Sequence, residues 1–556
     1  LLIHPERPLI VQSDRTLLLE VQHPLFVKAR EELSIFAELV KSPEYIHTYS
    51  ITQLSLWNAA ASGLTAAEVV NVLHKYSKFT IPKHLEDGIK EYIDRYGLIQ
   101  FVREDGRIIC KTRSPEILQE ILSYKSLLAY FDKQVNETTA VIVESARGIL
   151  KQELLKLAFP VEDLAGYHSG ERLGVSLLPT SNSNQQFKLR DYQLAAISAF
   201  YRNGSVYGGS GVLVLPCGSG KTVIGLGVMA EVKSETLILT TNTTSVRQWI
   251  KEILDKTTLS SNDVGEYSGA EKQVKPVTVA TYQILTHRSS KEEDFKHMGL
   301  FQQRNWGLII YDEVHLLPAP VFRYTAGIQA TRRLGLTATL VREDKKEDEV
   351  FSLIGPKKYD VPWMQMESLG WIAEAVCTEI RLPLSKIINQ EYLTAPKKQK
   401  YKIAATNPQK LDLLKDILKK HENDSILIIG QYLDQLAEIA ESLNVPLITG
   451  KVKQEQRDEL YRQFKDGRIK VLAVSKVANF AIDLPDAKVA IQVSGTFGSR
   501  QEEAQRLGRI LRPKAGDNQA FFYTIVSQNT IDQEYAMKRQ LFLIEQGYSY
   551  HIQEKG

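Results

Sequence analysis

Cysteine is scarce in this sequence: three occur in 556 residues, Cys110, Cys217 and Cys377, each more than a hundred positions from the next. No pair has zinc-ligand or redox spacing, and an iron–sulfur cluster would need four, so a reducing compartment and no structural metal are expected. Long apolar runs are also missing. The longest are strand-length, short of the ~20 residues that a membrane helix needs, so no membrane partner is expected. No charged-then-apolar leader opens the sequence as given, and no secretion signal is expected. Neither sign of charge dominates, because 69 Lys and Arg face 66 Asp and Glu for a formal net charge of +3. No basic tail advertises nucleic acid, although a local basic groove suffices for a protein that tracks a phosphate backbone. Internal repeats and low-complexity tracts are absent beyond one polar stretch, Pro179-Thr180-Ser181-Asn182-Ser183-Asn184.

What is present reads as several ordinary globular domains. The length exceeds one core, and 43% hydrophobic with 24% charged residues leaves ample apolar material to bury. Residues 8 to about 96 pattern as a small mixed domain. Leu9-Ile10-Val11 and Leu17 to Val21 flank a polar Ser13-Asp14-Arg15 turn, a hairpin pattern. Thr65 with Glu68 three residues on predicts a helix start with a capping box. Such a domain suits either docking of protein or DNA or a plain scaffold. A second unit follows: Leu98 to Val102 turns at Asp105-Gly106 into Arg107 to Cys110. Ser114-Pro115-Glu116 then starts a helix with a cap and an N1 proline, and another helix spans Ala146 to Leu157. The polar stretch at 179–184 is the linker candidate. Beyond Phe187, short apolar strands alternate with helices, the pattern of parallel α/β layers.

Chemistry concentrates in that second half. Gly218-Ser219-Gly220-Lys221-Thr222 follows the strand Val212 to Leu215 and precedes the helical stretch Val223 to Ala230. The glycines let backbone N–H groups curl around phosphates at a helix N-terminus. Lys221 then reaches the β- and γ-phosphates of ATP, and Thr222 offers its hydroxyl to Mg²⁺. A fully spelled P-loop has Gly six residues before the lysine, where Leu215 stands here. Asp312 and Glu313 close the apolar strand Leu308 to Tyr311, 91 residues after Lys221. Behind a P-loop, such an acidic pair places a magnesium-binding Asp beside a water-orienting Glu. Alone it would read as a solvated pair at a strand end. Gln193, in Leu189-Arg190-Asp191-Tyr192-Gln193, offers an amide to the adenine edge. Leu336-Thr337-Ala338-Thr339 bears hydroxyls that can couple a nucleotide site to a strand-binding surface, and Leu340-Val341-Arg342-Glu343-Asp344 trails it. Near the other end, Gln505-Arg506-Leu507-Gly508-Arg509-Ile510-Leu511-Arg512 sets Arg509 and Arg512 three apart, on one face of a helix. A second α/β domain could aim them at the γ-phosphate, where an arginine finger contributes ~10³–10⁵ in rate.

Taken together, these boxes resemble the helicase motifs of the XPB family, superfamily 2 DNA helicases of nucleotide excision repair and, in eukaryotes, transcription initiation. The resemblance extends over nearly the whole chain, through His47-Thr48-Tyr49, Ser475-Lys476-Val477 and Asp483-Leu484-Pro485. The continuation of Thr-Ala-Thr into Leu-Val-Arg-Glu-Asp is its most specific element. It implies two RecA-like parallel-sheet motor domains, 187–361 and 362–556, preceded by two small α+β domains. The first of these covers 1–96. The second, 97–167, matches the family's damage-recognition domain, and 168–186 forms a linker. It implies a strand-separating role for Arg342-Glu343-Asp344 and ATP contacts from Arg190, Gln193, Gly218, Ser219, Gly220, Asp483 and Gln505. Thr281, Thr337, Thr339 and Lys476 are expected to serve coupling or DNA contact. A thumb-like insertion is expected near 384–405, where Lys397-Lys398-Gln399-Lys400-Tyr401-Lys402 offers a basic, aromatic-containing DNA contact; composition alone reads the run as a solvated face.

Two departures, Ala478-Asn479 after Ser-Lys-Val and Arg500-Gln501 in place of a double arginine, point to a bacterial-type member. The expected protein is therefore a monomeric 3′→5′ DNA helicase using ATP and Mg²⁺. It would act on duplex, forked or damaged DNA, with a repair nuclease or a transcription-coupled partner. Its expected place is the cytoplasm, at the nucleoid, or the nucleus if the source is eukaryotic. The rivals are a translocase that remodels protein–DNA complexes without strand separation, a restriction-type nuclease motor, and an ATP-gated recruitment factor. An RNA substrate is a further alternative, because backbone-tracking motors read little base identity. No acidic-plus-lysine cluster outside the motor supports a nuclease, and intact Lys221, Asp312, Glu313 and Arg509 argue against a dead ATPase.

Overall fold

A computed structural model describes residues 3–42, 45–216, 218–288, 294–338, 346–360, 366, 370, 373–475, 487–495, 518–545, 548 and 550–555. Its contacts divide the chain into two compact units. One comprises Leu1–Glu38, Thr48–Leu215 and Gly220–Val361; the other comprises Leu39–His47, Pro216–Ser219 and Pro362–Gly556.

The first unit opens with the expected hairpin. Strands β1 (Leu9–Val11) and β2 (Thr16–Glu20) pair antiparallel, and Arg15 takes the left-handed conformation in the turn. The strands β3 (Glu38–Lys41) and β4 (Ile46–Ser50) follow along the chain. The helix Ala66–Tyr76 begins with Thr65 and Glu68 in a reciprocal capping box. Farther on, β5 (Ile99–Glu104) and β6 (Arg107–Thr112) pair in full register around Asp105 and Gly106, both at positive φ as a tight two-residue turn demands. With β7 (Phe131–Gln134), β8 (Thr139–Ile142) and β9 (Val161–Leu164) they form a sheet ordered β7-β8-β6-β5-β9. Pro115 does open the helix Pro115–Ser123, but the expected Ser114 cap fails in detail: Ser114 is extended, yet its side chain accepts no bond from the first turn.

Seven parallel strands build the motor sheet of this unit: β10 (Ser210–Val214), β11 (Thr236–Thr240), β12 (Val264–Tyr267), β13 (Val277–Thr281), β14 (Leu308–Asp312), β15 (Arg332–Thr337) and β16 (Lys357–Asp360). Their order is β12-β13-β11-β14-β15-β10-β16. The strands are buried on both faces, so they read as apolar runs rather than alternations.

The two small domains are not loose appendages of this sheet. Trp57, Leu155 and Phe351, one residue from each of the three parts, form a shared buried cluster. Asn58 Oδ1 accepts the backbone N–H of Lys357 at 2.9 Å, capping the edge strand β16. Gly148 lies so close to the helix Ala319–Ala326 that a Cβ there would meet the Ala326 carbonyl oxygen at 2.2 Å. The expected linker also differs from a free tether. Leu177 bridges Thr257, Asn182 N–H donates to the Asp255 carbonyl at 2.8 Å, and Ser181 is buried. Its polar residues find partners on the helix Thr243–Lys256, which composition alone does not reveal.

The second unit repeats the plan. Strands β17 (Glu374–Leu382), β18 (Ile426–Gly430), β19 (Leu447–Ile448), β20 (Val471–Ser475), β21 (Val489–Gln492), β22 (Gln519–Ser527) and β23 (Tyr550–Glu554) form a parallel sheet. Their order is β19-β20-β18-β21-β22-β17-β23. Two RecA-like parallel-sheet lobes preceded by small α+β domains match the expected class.

Between β17 and the helix Gln409–Lys420 stand the helices Lys386–Thr394 and Lys397–Ala405. The basic run there is only partly a surface. Lys397 and Lys398 are exposed, but Tyr401 is buried, packing edge-on against Tyr535 at 4.9 Å and donating to the Gly495 carbonyl. The aromatic of the proposed DNA contact therefore belongs to the core.

Candidate active site

Register brings the sequence boxes to one edge of the first motor sheet. Val214 pairs with Thr337 and Asp312 with Leu336, so β10, β14 and β15 end side by side. The carboxyl edge of a parallel sheet is where α/β proteins bind ligands. After β10 the chain passes through Gly218 and Gly220, both with φ near +80°, into the helix Lys221–Val232. A side chain at Gly220 would stand in the disfavoured left-handed region, 2.9 Å from Gln193 Nε2. Gln193 thus reaches the P-loop, and its Oε1 also accepts the Arg190 backbone N–H at 2.9 Å. The Arg190 guanidinium lies 3.5 Å from the Tyr192 hydroxyl.

Lys221 at the helix start forms an ion pair with Glu313. Glu313 itself is left-handed, at φ 50° and ψ 54°, a conformation that turns its carboxylate back toward the P-loop just after β14. Its other oxygen lies 3.6 Å from His315 Nδ1, and that nitrogen is 2.7 Å from Thr337 Oγ1. A short chain of contacts therefore runs from the P-loop lysine to the start of the Thr-Ala-Thr box.

Asp312 is held from several sides. Its Oδ2 accepts the Trp249 indole N–H at 2.9 Å and the Thr240 hydroxyl at 3.2 Å, and its backbone carbonyl accepts the Tyr282 hydroxyl at 2.7 Å. Burial, and then the neighbouring Glu313 charge, raise its carboxyl above the usual carboxylate range; Lys221 and the two hydrogen bonds pull the other way. Two carboxylates this close favour a divalent cation between the protein and a phosphate. Asp312 and the hydroxyl of Thr222 at the helix start are hard oxygen donors of the kind that could hold such a cation. Thr281 caps the short helix Tyr282–Leu285 by accepting the Ile284 N–H at 3.2 Å, so it places Tyr282 rather than facing the phosphate site directly.

Lys221, Thr222, Asp312, Glu313, Gln193, Arg190, Gly218, Gly220, Thr281 and Thr337 are thus placed, and Ser219, between the two glycines, is buried. Thr339, Arg342, Glu343, Asp344, Lys476, Asp483, Gln505, Arg509 and Arg512 lie outside the described residues, as do Cys217, Ala478-Asn479 and Arg500-Gln501. Sequence reasoning missed Trp249, Thr240 and Tyr282. A signal existed for the first: Val246, Trp249 and Ile253 form the buried stripe of a helix capped by Asn242, which faces Trp249 toward the sheet.

The fold and this edge of the sheet define a class, an ATP-driven motor with two RecA-like lobes. Family models agree: residues 366–555 match the ERCC3/RAD25/XPB C-terminal helicase, 186–342 the type III restriction enzyme res subunit, and 9–133 a helicase conserved C-terminal domain. The DNA 3'-5' helicase XPB of Mycobacterium tuberculosis is 49% identical over 98% of each chain. That of Kineococcus radiotolerans is 49% identical over 98% of this chain and 96% of its own. The general transcription and DNA repair factor IIH helicase/translocase subunit XPB/SSL2 of Saccharomyces cerevisiae is 31% identical, over 99% of this chain and 72% of its own. The chain belongs to the XPB helicase family.

Among the described residues, no helix is long and apolar enough to cross a membrane, and no group of three or more His, Cys, Asp or Glu side chains could hold a metal ion by itself. Cys110 and Cys377 are buried.

Proposed function

We propose that this protein is an ATP-dependent 3′→5′ DNA helicase that opens duplex, forked or damaged DNA during repair, nucleotide excision repair being the process that the family resemblance implies. The observation that carries the reading is the convergence of Lys221, Thr222, Asp312 and Glu313 at one sheet edge, in a chain of this family. Lys221 binds the β- and γ-phosphates of ATP, while Gln193 and Arg190 read the nucleotide base side. Thr222 and Asp312 hold Mg²⁺, which supplies charge neutralisation at the phosphates. Drawing the Lys221 ammonium to phosphate releases Glu313, whose carboxylate then orients the attacking water. Arg509 and Arg512 supply transition-state charge, with Asp483 and Gln505 assisting nucleotide binding. The His315–Thr337 contact carries the state of the site into Thr-Ala-Thr, and Thr281, Thr339 and Lys476 meet DNA or relay to it. Arg342, Glu343 and Asp344 part the strands. In this reading 1–96 docks partners, 97–167 inspects the duplex, 187–361 and 362–556 are the motor lobes, and the protein works as a monomer at the nucleoid with a repair nuclease or a transcription-coupled partner.

The test measures ATP turnover with single-stranded, duplex, forked and RNA substrates, with strand separation followed in parallel. Lys221→Ala should abolish turnover. Arg342→Ala or Asp344→Ala should keep most turnover and lose unwinding. Stimulation by RNA alone overturns the proposal, and duplex-stimulated turnover without strand separation assigns a translocase instead.

A further inference from the structure

Trp249 is 1% exposed, the largest of the fully buried side chains among the described residues, and its one polar atom is committed to Asp312. The ring is wedged on its other side against the P-loop helix: a Cβ added at Gly225 would meet Trp249 Cη2 at 2.5 Å. Only a residue without a side chain lets the indole lie there. The indole thus touches two parts of the nucleotide site at once, the helix that begins at Lys221 and the carboxylate that ends β14.

We propose that Trp249 is the positioning residue of the magnesium-binding carboxylate, a role that rests on the nucleotide reading above. With Oδ2 held by the indole N–H and the Thr240 hydroxyl, Oδ1 is the oxygen left to face the metal. One bond would let the carboxylate swivel about χ2; two bonds to the same oxygen fix its plane. The wedge against Gly225 ties that plane to the P-loop helix, so phosphate binding and metal binding share one rigid support. Partners of this kind, one shell behind a metal ligand, typically contribute 10–100-fold in metal affinity.

Trp249→Phe keeps the ring packing and deletes the N–H. The experiment titrates Mg²⁺ against a fluorescent ATP analogue bound to the full chain, and repeats the binding in EDTA. The variant should need about tenfold or more Mg²⁺ for half-maximal metal-dependent binding, while metal-free nucleotide affinity stays as in the parent. A purely structural role predicts equal loss in both arms, and that result, or an unchanged Mg²⁺ midpoint, overturns the proposal. Absence of any Mg²⁺-dependent nucleotide binding in the parent protein would instead remove the nucleotide reading itself. The unsubstituted protein gives a second test that survives a variant that fails to fold. Its five tryptophans give five ¹⁵N-indole signals. One, protected from exchange, should shift when Mg²⁺ joins the bound nucleotide and vanish when Mn²⁺ replaces it. Five signals indifferent to the metal overturn the proposal.

Discussion

Replacing Asp163 by Asn should loosen the 97–167 region from the first motor sheet without disabling the nucleotide site. Asp163 ends buried, its side chain 8% exposed, between Arg147 at 2% and Lys151 at 7%. Arg147 Nη2 donates to Oδ1 at 2.9 Å and Nε to Oδ2 at 3.0 Å, and Lys151 Nζ donates to Oδ2 at 2.7 Å. Lys151 continues to Gln329 Oε1 at 2.6 Å, beside the start of β15, and Tyr167 reaches Ser210 at the start of β10 with a 2.7 Å hydrogen bond. The amide would leave two cations buried without their counter-charge. Removing one partner of a buried pair costs roughly 3–5 kcal/mol. The loss should fall near the lower bound, because Lys151 has an escape. Burial already brings its pKa down to about 7 despite Asp163, so it can shed its proton while Arg147 cannot. Urea unfolding of the full chain should therefore show about 3 kcal/mol lost in the first unit. Hydrogen exchange should rise in 97–167 first. The P-loop lies at the other end of β10, five residues or ~16 Å away along the strand, so basal ATP turnover should persist while unwinding falls. A loss below ~1 kcal/mol would show the cluster to be an exposed-type pair. Equal loss of turnover and unwinding would refute the separation of clamp from site.

Lys151 also gives a pH signature. Its folded pKa, about 7, lies below the ordinary 10.5, so the unfolded chain holds more protons between those values, and stability should rise with pH across that window. Lys151→Met should flatten the rise in a series of urea midpoints from pH 7 to 9.5; an identical slope in the variant refutes the assignment. Asp163 acts on the acid side. Burial raises its pKa, but Lys151 and Arg147 outweigh that and hold it well below the usual carboxylate range, so its stabilisation is present above pH ~4 and lost below. Thr337→Val removes the hydroxyl 2.7 Å from His315 inside a fully buried site, at a cost of about 1–3 kcal/mol. DNA stimulation of ATP turnover should drop with the unstimulated rate kept; unchanged stimulation would show that Thr337 is only a packing residue.

Much of this architecture was readable in the residues because the relevant signals are local. Asp105-Gly106 could only be a turn between its flanking apolar runs, and it is one, with both residues at positive φ. Thr65 and Glu68 form the box their spacing required. Strand, loop and helix around Lys221 follow from a glycine-rich turn between an apolar run and a helical stretch. Ser114 marks the limit of such reasoning: residue type and position predict a cap, but whether the hydroxyl turns inward depends on competing partners, and here it does not accept. Tyr401 marks another, since a lysine-rich run says nothing about which way its one aromatic faces.

The parts that stayed hidden are those made by residues far apart in the chain. Nothing in Asn58 announces that it will cap a strand 299 positions later, and nothing in Lys151 announces Gln329. Each is a polar residue of a type that usually sits in water. Burial came from the meeting of domains, and only then did a hydrogen bond become necessary. The same reasoning separates Trp249 from the boxes around it. Lys221, Asp312 and Glu313 are recognisable because phosphate and metal chemistry restricts which side chains can serve. An indole N–H behind a carboxylate is one of several donors that could do the task, so the buried stripe of its helix turns Trp249 toward the sheet without naming its partner, and the 2.9 Å contact identifies it. Support for a catalytic group is therefore less legible than the group itself, and it is where substitution should most cleanly separate metal binding from nucleotide binding.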